Sequence, residues 1–98
     1  MAITKNYLKS KAVCKITFDI PAEAEKLAVV GDFNNWDAAA NPLKKLKSGN
    51  FKGQINLEKG QSYEFKYVAD GNNYFNDEQA DSYQFNEYAG SENGVLSL

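Results

Sequence analysis

The chain has 98 residues, which is enough for one domain with a single hydrophobic core. Its hydrophobic and aromatic content is that of a folded protein, and a net charge of −2 without any arginine gives no electrostatic basis for binding nucleic acid or an anionic membrane surface. Histidine is absent, which excludes Ser-His-Asp and Cys-His catalytic sites and removes the commonest ligand of transition metals.

The first fifteen residues contain no apolar run long enough for a secretory signal, and nowhere are there the roughly 18 consecutive apolar residues of a membrane span. We therefore expect a cytoplasmic protein with no membrane association. We divide the chain into an N-terminal lead, residues 1–10, and one domain, residues 11–98. The single cysteine, Cys14, lies in an alternating apolar stretch and is predicted to be a buried structural thiol.

The dominant hydrophobic period along the chain is two. Every second residue of the segment 12–20 is apolar, which is typical of a half-buried strand, and Pro21 ends it. Further strands are predicted where the same period recurs or where turn residues bound a short segment, at residues 26–30, 43–46, 51–57, 63–69 and 95–98. We predict an all-β, antiparallel, immunoglobulin-like β-sandwich of about seven short strands.

The most informative segment is the sequence GDFNNWD at residues 31–37, which holds the only tryptophan, Trp36. A sugar ring has a flat C–H face that can lie on an aromatic plane, and its hydroxyls need donors and acceptors at the rim. Composition alone still favours a core position for Trp36, because large aromatic residues are mostly buried. Phe33 is predicted to be in the core, and Asn34 and Asn35 fit a turn as well as a ligand contact.

This segment and several downstream motifs resemble the family-48 carbohydrate-binding modules. That family includes the glycogen-binding domain of the AMP-activated protein kinase β-subunit and the N-terminal domains of branching and debranching enzymes. The resemblance covers residues 11–98 and implies an early-set immunoglobulin-like sandwich. The matching motifs are VVGDFNNW at 29–36, PL at 42–43, GNF at 49–51, Leu57 with Gly60, YEFKY at 63–67, DG at 70–71 and NGVL at 93–96.

In glucan-binding members of the family, two tryptophans stack on glucose while a lysine and an asparagine bond to hydroxyls. By position, the resemblance implies that Trp36, Lys66 and Asn93 take three of these roles. It further places Ser91 at a nearby hydroxyl position. Asn35, in the Trp36 loop, is also a candidate ligand contact. The second tryptophan is missing: after a one-residue insertion Tyr74 takes its place, with Phe75 as the alternative if the register slips by one.

The resemblance therefore implies a non-catalytic module that binds α-glucans such as glycogen, starch or maltooligosaccharides and uses no cofactor or metal. It also implies a glucan-metabolising enzyme as a protein partner. An alternative stays open, because an early-set domain that has lost its second tryptophan could be a structural or protein-interaction domain. A fragment of a larger branching-type enzyme is a third possibility.

Two other groups of residues suggest chemistry less strongly. The acidic residues of the late loops do not match the spacing of an EF-hand, and a sandwich this small has little depth for a glycosidase site. The acidic residues in question are Asp70, Asp77, Glu78, Asp81 and Glu87. The aromatic stripe of Tyr83, Phe85 and Tyr88 is predicted to pack in the core or against loops, although it could extend a groove beside Tyr74.

Overall fold

The computed structural model describes residues 2–9, 11–87 and 90–98. Within these ranges the chain forms nine strands, and a 3-10 turn at Asp32–Asn34 follows the third strand. In these ranges no helix combines the length and the apolar character that crossing a membrane requires. The strands are β1 (Ala2–Tyr7), β2 (Val13–Pro21), β3 (Leu27–Gly31), β4 (Pro42–Lys45), β5 (Asn50–Glu58), β6 (Ser62–Ala69), β7 (Asn73–Phe75), β8 (Ser82–Asn86) and β9 (Ser91–Ser97).

The strands pair antiparallel in two sheets that share β4. The first sheet has the order β1-β2-β5-β4, and the second has the order β4-β3-β6-β9-β8 with β7 also beside β6. Strand β4 changes sheets within four residues, because Leu43 pairs with Leu27 of β3 whereas Lys45 pairs with Phe51 of β5. The predicted antiparallel sandwich of the immunoglobulin-like, early-set type is thus confirmed, with nine strands in the described ranges instead of about seven.

The core lies between the two sheets and is built from alternate residues of each strand, as the period of two predicts. Phe18 of β2 is its centre, since its ring packs against Phe65 and Tyr67 with centroids 6.3 and 6.0 Å apart. Burying one such side chain contributes about 1.5–3 kcal/mol. Cys14 is fully buried, as predicted. The other side chains of this core are Ile16, Ile20, Leu27, Val29, Leu43, Phe51, Leu57, Ala69 and Leu96.

Three strands were not predicted, and each pairs with one neighbour in the described ranges. Strand β1 occupies most of the expected lead, β7 completes the hairpin after Asp70-Gly71, and β8 runs through the late aromatic stripe. In β8 the aromatic residues Tyr83 and Phe85 alternate with polar residues, but this period of two was not interpreted as a strand. Four of its five residues are exposed. The last strand also begins earlier than expected, at Ser91.

The open side of the sandwich is bridged by an ion pair between β1 and the segment before β8. Lys5 Nζ donates to Asp81 Oδ2 and to the Ser97 carbonyl, and the same carboxylate accepts from the Ser97 N–H. Desolvation alone would raise the pKa of Asp81, but the hydrogen bonds from Lys5 and Ser97 lower it below its ordinary value. An inward-facing lysine on an edge strand also discourages pairing with another chain.

Candidate functional site

The second sheet has an outer face that points away from the core, and most of the predicted site residues lie on it. Strand β6 contributes alternate residues to this face, and their cross-strand neighbours on β3, β7 and β9 share it. We use "outer face" for these residues: Ala28, Val30, Ser62, Glu64, Lys66, Val68, Tyr74, Ser91, Asn93 and Val95.

Trp36 packs on this outer face. Its side chain, with that of Ala38, lies against the small cluster formed by Ala28, Val30 and Val68. Val30 is fully buried although it points away from the core, because the loop covers it. Trp36 itself is half-buried, so it rests on the sheet and keeps part of its indole surface accessible. The position favoured by composition alone, inside the sandwich core, is therefore not the one that Trp36 occupies.

The loop holds Trp36 in a backbone conformation that large residues rarely adopt. Asn35 and Trp36 have φ values of 55° and 58°, in the left-handed region. For asparagine this is common, whereas for tryptophan it costs about 1–2 kcal/mol. The Trp36 N–H donates to the Gly31 carbonyl at 3.0 Å, which closes the turn. The side chain of Trp36 is thereby directed onto the outer face, and Asn35 is left exposed at its edge.

Asn34 stabilises this loop through its side chain. Its Oδ1 accepts from the Gly31 N–H at 3.0 Å, and its Nδ2 donates to the Val29 carbonyl and to Asn41 Oδ1. The sequence allowed Asn34 to be either a turn former or a ligand contact, and its hydrogen bonds are those of a turn former. Gly31 is needed for a different reason: a Cβ there would lie 2.4 Å from the Glu64 carbonyl oxygen.

Lys66 lies on the outer face one strand away from Trp36. Its Nζ donates to Ser91 Oγ at 2.7 Å, so these two predicted site residues are in direct contact. Lys66 and Ser91 are both half-buried, with their polar groups at the surface of the face. The ammonium group has three protons, and two of them remain for other acceptors after the bond to Ser91.

Asn93 lies on the same side of the sheet but below its surface. It is only 2% exposed, and its Nδ2 donates to Glu64 Oε1 at 3.2 Å. This position leaves the amide almost no surface for a ligand, and it makes Asn93 a support for the carboxylate of Glu64. Sequence reasoning did not single out Glu64, although its place two residues before Lys66 on one strand puts the two on the same face.

The register of β7 distinguishes Tyr74 from Phe75. Tyr74 pairs with Val68 and therefore shares the outer face, where it is 52% exposed. Phe75 pairs with Tyr67 and points to the core, with ring centroids 5.5 Å apart. The aromatic side chain that joins Trp36 on this face is thus Tyr74.

A buried hydrogen bond fixes the chain that follows β7. The Tyr67 hydroxyl donates to Asp77 Oδ2 at 2.6 Å, and Asp77 Oδ1 accepts from the Gln79 N–H. Asp77 is 1% exposed, so its carboxylate depends on these donors. Burial, with the hydrogen bond to Asp77 and its charge, raises the pKa of the Tyr67 hydroxyl far above its ordinary value. The tyrosine therefore stays protonated and remains a donor.

The side chain of Asn76 ties the end of β7 to β9. Its Nδ2 donates to the Glu92 carbonyl at 2.8 Å, and its Oδ1 accepts from the Gly94 N–H at 3.2 Å. These two bonds flank Asn93 in the sequence. Asn76 thus replaces a missing stretch of strand pairing and keeps Tyr74 in a fixed position relative to β9.

Three of the acidic residues of the late loops have separate partners. Asp70 Oδ1 accepts from the Glu25 and Lys26 N–H groups, while Asp77 bonds to Tyr67 and Asp81 to Lys5. The aromatic stripe also divides: Tyr83 donates to the Asp77 carbonyl, and Phe85 is 58% exposed. Both pair with residues of β9 that face away from the outer face, so they do not extend a groove beside Tyr74. Tyr88 lies outside the described residues.

The structure therefore brings four predicted site residues, Trp36, Lys66, Tyr74 and Ser91, onto one exposed face. Asn35 lies at the rim of the Trp36 loop, and Asn93 lies beneath the surface. The arrangement offers two aromatic side chains on either side of Val68, with an ammonium and a hydroxyl group beside them. Such a face suits a neutral ligand with flat apolar surfaces and many hydroxyls.

Comparison with known families agrees with this chemistry. Residues 14–96 match the family described as the glycogen recognition site of AMP-activated protein kinase, which is nearly the whole chain. No curated protein matches the chain significantly. Since the family match spans the sandwich from β2 to β9, the chain belongs to the family of carbohydrate-binding modules defined by that glycogen recognition site.

Proposed function

We propose that this domain binds an α-glucan chain across its outer face. Trp36 and Tyr74 would stack against glucose rings, and Lys66 and Ser91 would bond to the hydroxyls between them. The observation that carries the proposal is the convergence of these four side chains around Val68, from a loop and three strands. Membership of a glycogen-recognition family supports α-glucans as the ligand class.

The conformation of the Trp36 loop favours binding. The hydrogen bonds of Asn34 and the packing on Val30 hold the indole in place before a ligand arrives. A side chain that is already ordered loses little conformational entropy on binding, so more of the stacking energy appears as affinity. Tyr74 is more exposed and has a smaller ring, so we expect it to contribute less than Trp36.

The polar groups of the face suit a neutral polyol. Lys66 can donate to sugar hydroxyls while it keeps its bond to Ser91, and the exposed amide of Asn35 offers both a donor and an acceptor near the indole. Asn93 takes a supporting part in this proposal, because its buried amide holds Glu64 in place.

We further propose that the domain does no chemistry on the sugar. Asp70, Asp77 and Asp81 are each bonded to another part of the fold, which supports structural roles for these carboxylates. Association with a glucan-metabolising enzyme remains a prediction. The alternative of a purely structural domain fits less well, since it gives no reason for a tryptophan held in a strained conformation on an exposed face.

A titration with maltoheptaose, together with a pull-down on glycogen, tests the proposal. We expect wild-type protein to bind and Trp36→Ala to lose at least ten-fold in affinity while keeping the circular dichroism spectrum of a folded β-protein. Folded wild-type protein that binds neither ligand at millimolar sugar would contradict glucan binding. Release of reducing sugar during incubation with glycogen would contradict the non-catalytic role.

A further inference from the structure

A small cavity with several polar lining residues lies on the outer face at the opposite end of β6 from Trp36. It has a volume of about 190 Å³. Its lining residues are Asp32, Ser62, Tyr63, Glu64, Gln84 and Val95. We call it the polar notch. None of the predicted site residues lines it, so it is distinct from the aromatic end of the face.

The notch exists because β3 is shorter than its neighbour. Strand β3 ends at Gly31, opposite Phe65, so the first residues of β6 have no β3 residue beside them. Asp32 Oδ2 accepts from the Glu64 N–H at 2.9 Å and thus satisfies a backbone donor where the strand has ended. The chain then turns away into the 3-10 turn, which leaves a recess beside β6 with Asp32 on one wall.

The lining of the notch has the chemistry of a polyol site. The lining residues include two carboxylates, an amide and the hydroxyl of Ser62, beside Tyr63 and Val95. A carboxylate can accept from two neighbouring sugar hydroxyls, and the amide of Gln84 can both donate and accept. Glu64 is held in place by Asn93, so it does not have to be ordered by the ligand. With carboxylates as its only charged groups, the notch disfavours phosphate and other anions.

The notch and the aromatic end of the face lie along the same strand. Ser62, Glu64, Lys66 and Val68 follow one another on the same side of β6. From Ser62 to Val68 the strand rises about 20 Å, which is longer than a trisaccharide. Lys66 lies midway, so polar contacts continue between the two ends.

We propose that the polar notch is a second subsite, which holds additional glucose residues of the same α-glucan chain through Glu64 and Gln84. This inference rests on the proposed function, since it assumes that a glucan already occupies the aromatic end. It assigns to the domain a preference for longer chains that Trp36 and Tyr74 would not give by themselves.

The test compares maltotriose with maltoheptaose in wild-type protein and in Gln84→Ala. Gln84 is exposed on the edge strand β8, so its truncation should leave the fold intact. We expect a loss of about five-fold in maltoheptaose affinity, the equivalent of one hydrogen bond, and no change for maltotriose. Glu64→Gln, which keeps an acceptor for Asn93, should also weaken maltoheptaose binding. In wild-type protein, maltoheptaose but not maltotriose should shift the backbone amide resonances of Ser62 and Val95.

Gln54→Ala is the matched control, because Gln54 is an exposed glutamine on the outer side of the first sheet. It should bind both sugars as the wild type does. If Gln84→Ala and Glu64→Gln bind maltoheptaose normally while Trp36→Ala does not bind, the second subsite is wrong and the proposed function stands. If wild-type protein binds neither sugar, both are wrong. If EDTA abolishes maltoheptaose binding and calcium restores it, the carboxylates hold a cation and the proposed hydroxyl contacts are wrong.

Discussion

The two sheets present outer surfaces of very different character. On the first sheet most outward residues of β2 and β5 are polar, Val13 and Pro21 being apolar, and each keeps part of its surface in water. The polar ones are Lys15, Thr17, Asp19, Asn50, Lys52, Gln54, Asn56 and Glu58. On the second sheet the outward residues include valines, and Val30 and Val68 are buried beneath Trp36 although they point away from the core.

This difference distinguishes a solvated surface from a binding surface. A solvated sheet face needs only residues that water can reach, as in the Gln54–Thr17 pair. The outer face of the second sheet instead has an apolar floor, an aromatic residue in a strained conformation and a buried amide supporting a carboxylate. The left-handed backbone of Trp36 costs folding free energy, and a ligand that uses the indole explains why it is kept.

The largest effect expected in the variants below concerns the support of the second sheet. Tyr67→Phe removes a donor from the buried carboxylate of Asp77, and we expect it to lower the free energy of unfolding by about 2 kcal/mol, as for a lost bond to a charged group. Urea denaturation would measure the change. Tyr63→Phe is the control, since Tyr63 donates to the uncharged Glu58 carbonyl at an exposed site and should cost less than half as much. Equal losses would show that the buried carboxylate has no special importance.

The next prediction compares the two sheets by the maltoheptaose affinity of a tyrosine variant in each. Tyr74→Ala should weaken maltoheptaose binding by about five-fold, or about 1 kcal/mol, because one stacking ring is lost. Tyr7→Ala is a close control, since Tyr7 on β1 has a similar exposure of 48% and should leave binding unchanged. Isothermal titration calorimetry would measure both. Equal affinities for the two variants would remove Tyr74 from the site.

A smaller effect is expected for the lysines. Lys66→Ala should reduce maltoheptaose affinity by about three-fold, because a hydrogen bond to a hydroxyl in partial contact with water contributes little net free energy. Lys15→Ala removes a half-buried lysine from the outer side of the first sheet and should bind like the wild type. A matching loss in Lys15→Ala would mean that the charge of the whole domain, and not the position of Lys66, affects binding.

The smallest effect concerns the ion pair between Lys5 and Asp81 that bridges the open side of the sandwich. The lowered pKa of Asp81 means that its carboxylate stabilises the fold above its ordinary pKa of about 3.8, and that this contribution is lost as the pH falls through the lower folded value. Because the pair with Lys5 is partly exposed, we expect Asp81→Asn to cost only about 0.5 kcal/mol at pH 7. The difference between variant and wild type should shrink on acidification in urea titrations. A difference that is constant with pH would contradict a role for the charge.

Much of the fold follows from local patterns in the sequence. The period of two in β2, β5 and β6 predicts both their location and their buried sides, since these central strands have one face in the core and one toward solvent. The same alternation in β6 places Lys66 on the outward side. Strand β1 does not follow this pattern cleanly, because Lys5 lies on its inward side opposite Ile16. Strand β8 does alternate, but its pattern rests on only two aromatic residues, Tyr83 and Phe85.

The amino-acid sequence by itself determined the fold class, the family resemblance and the types of residue at the candidate site. Only the tertiary structure decided which of them share a surface. The face that Tyr74 occupies depends on the register of β7 against β6, the burial of Asn93 depends on its neighbours in the sheet, and the polar notch depends on where β3 ends. A shift of one residue in register reverses the face of a side chain, and pairing between distant segments sets that register.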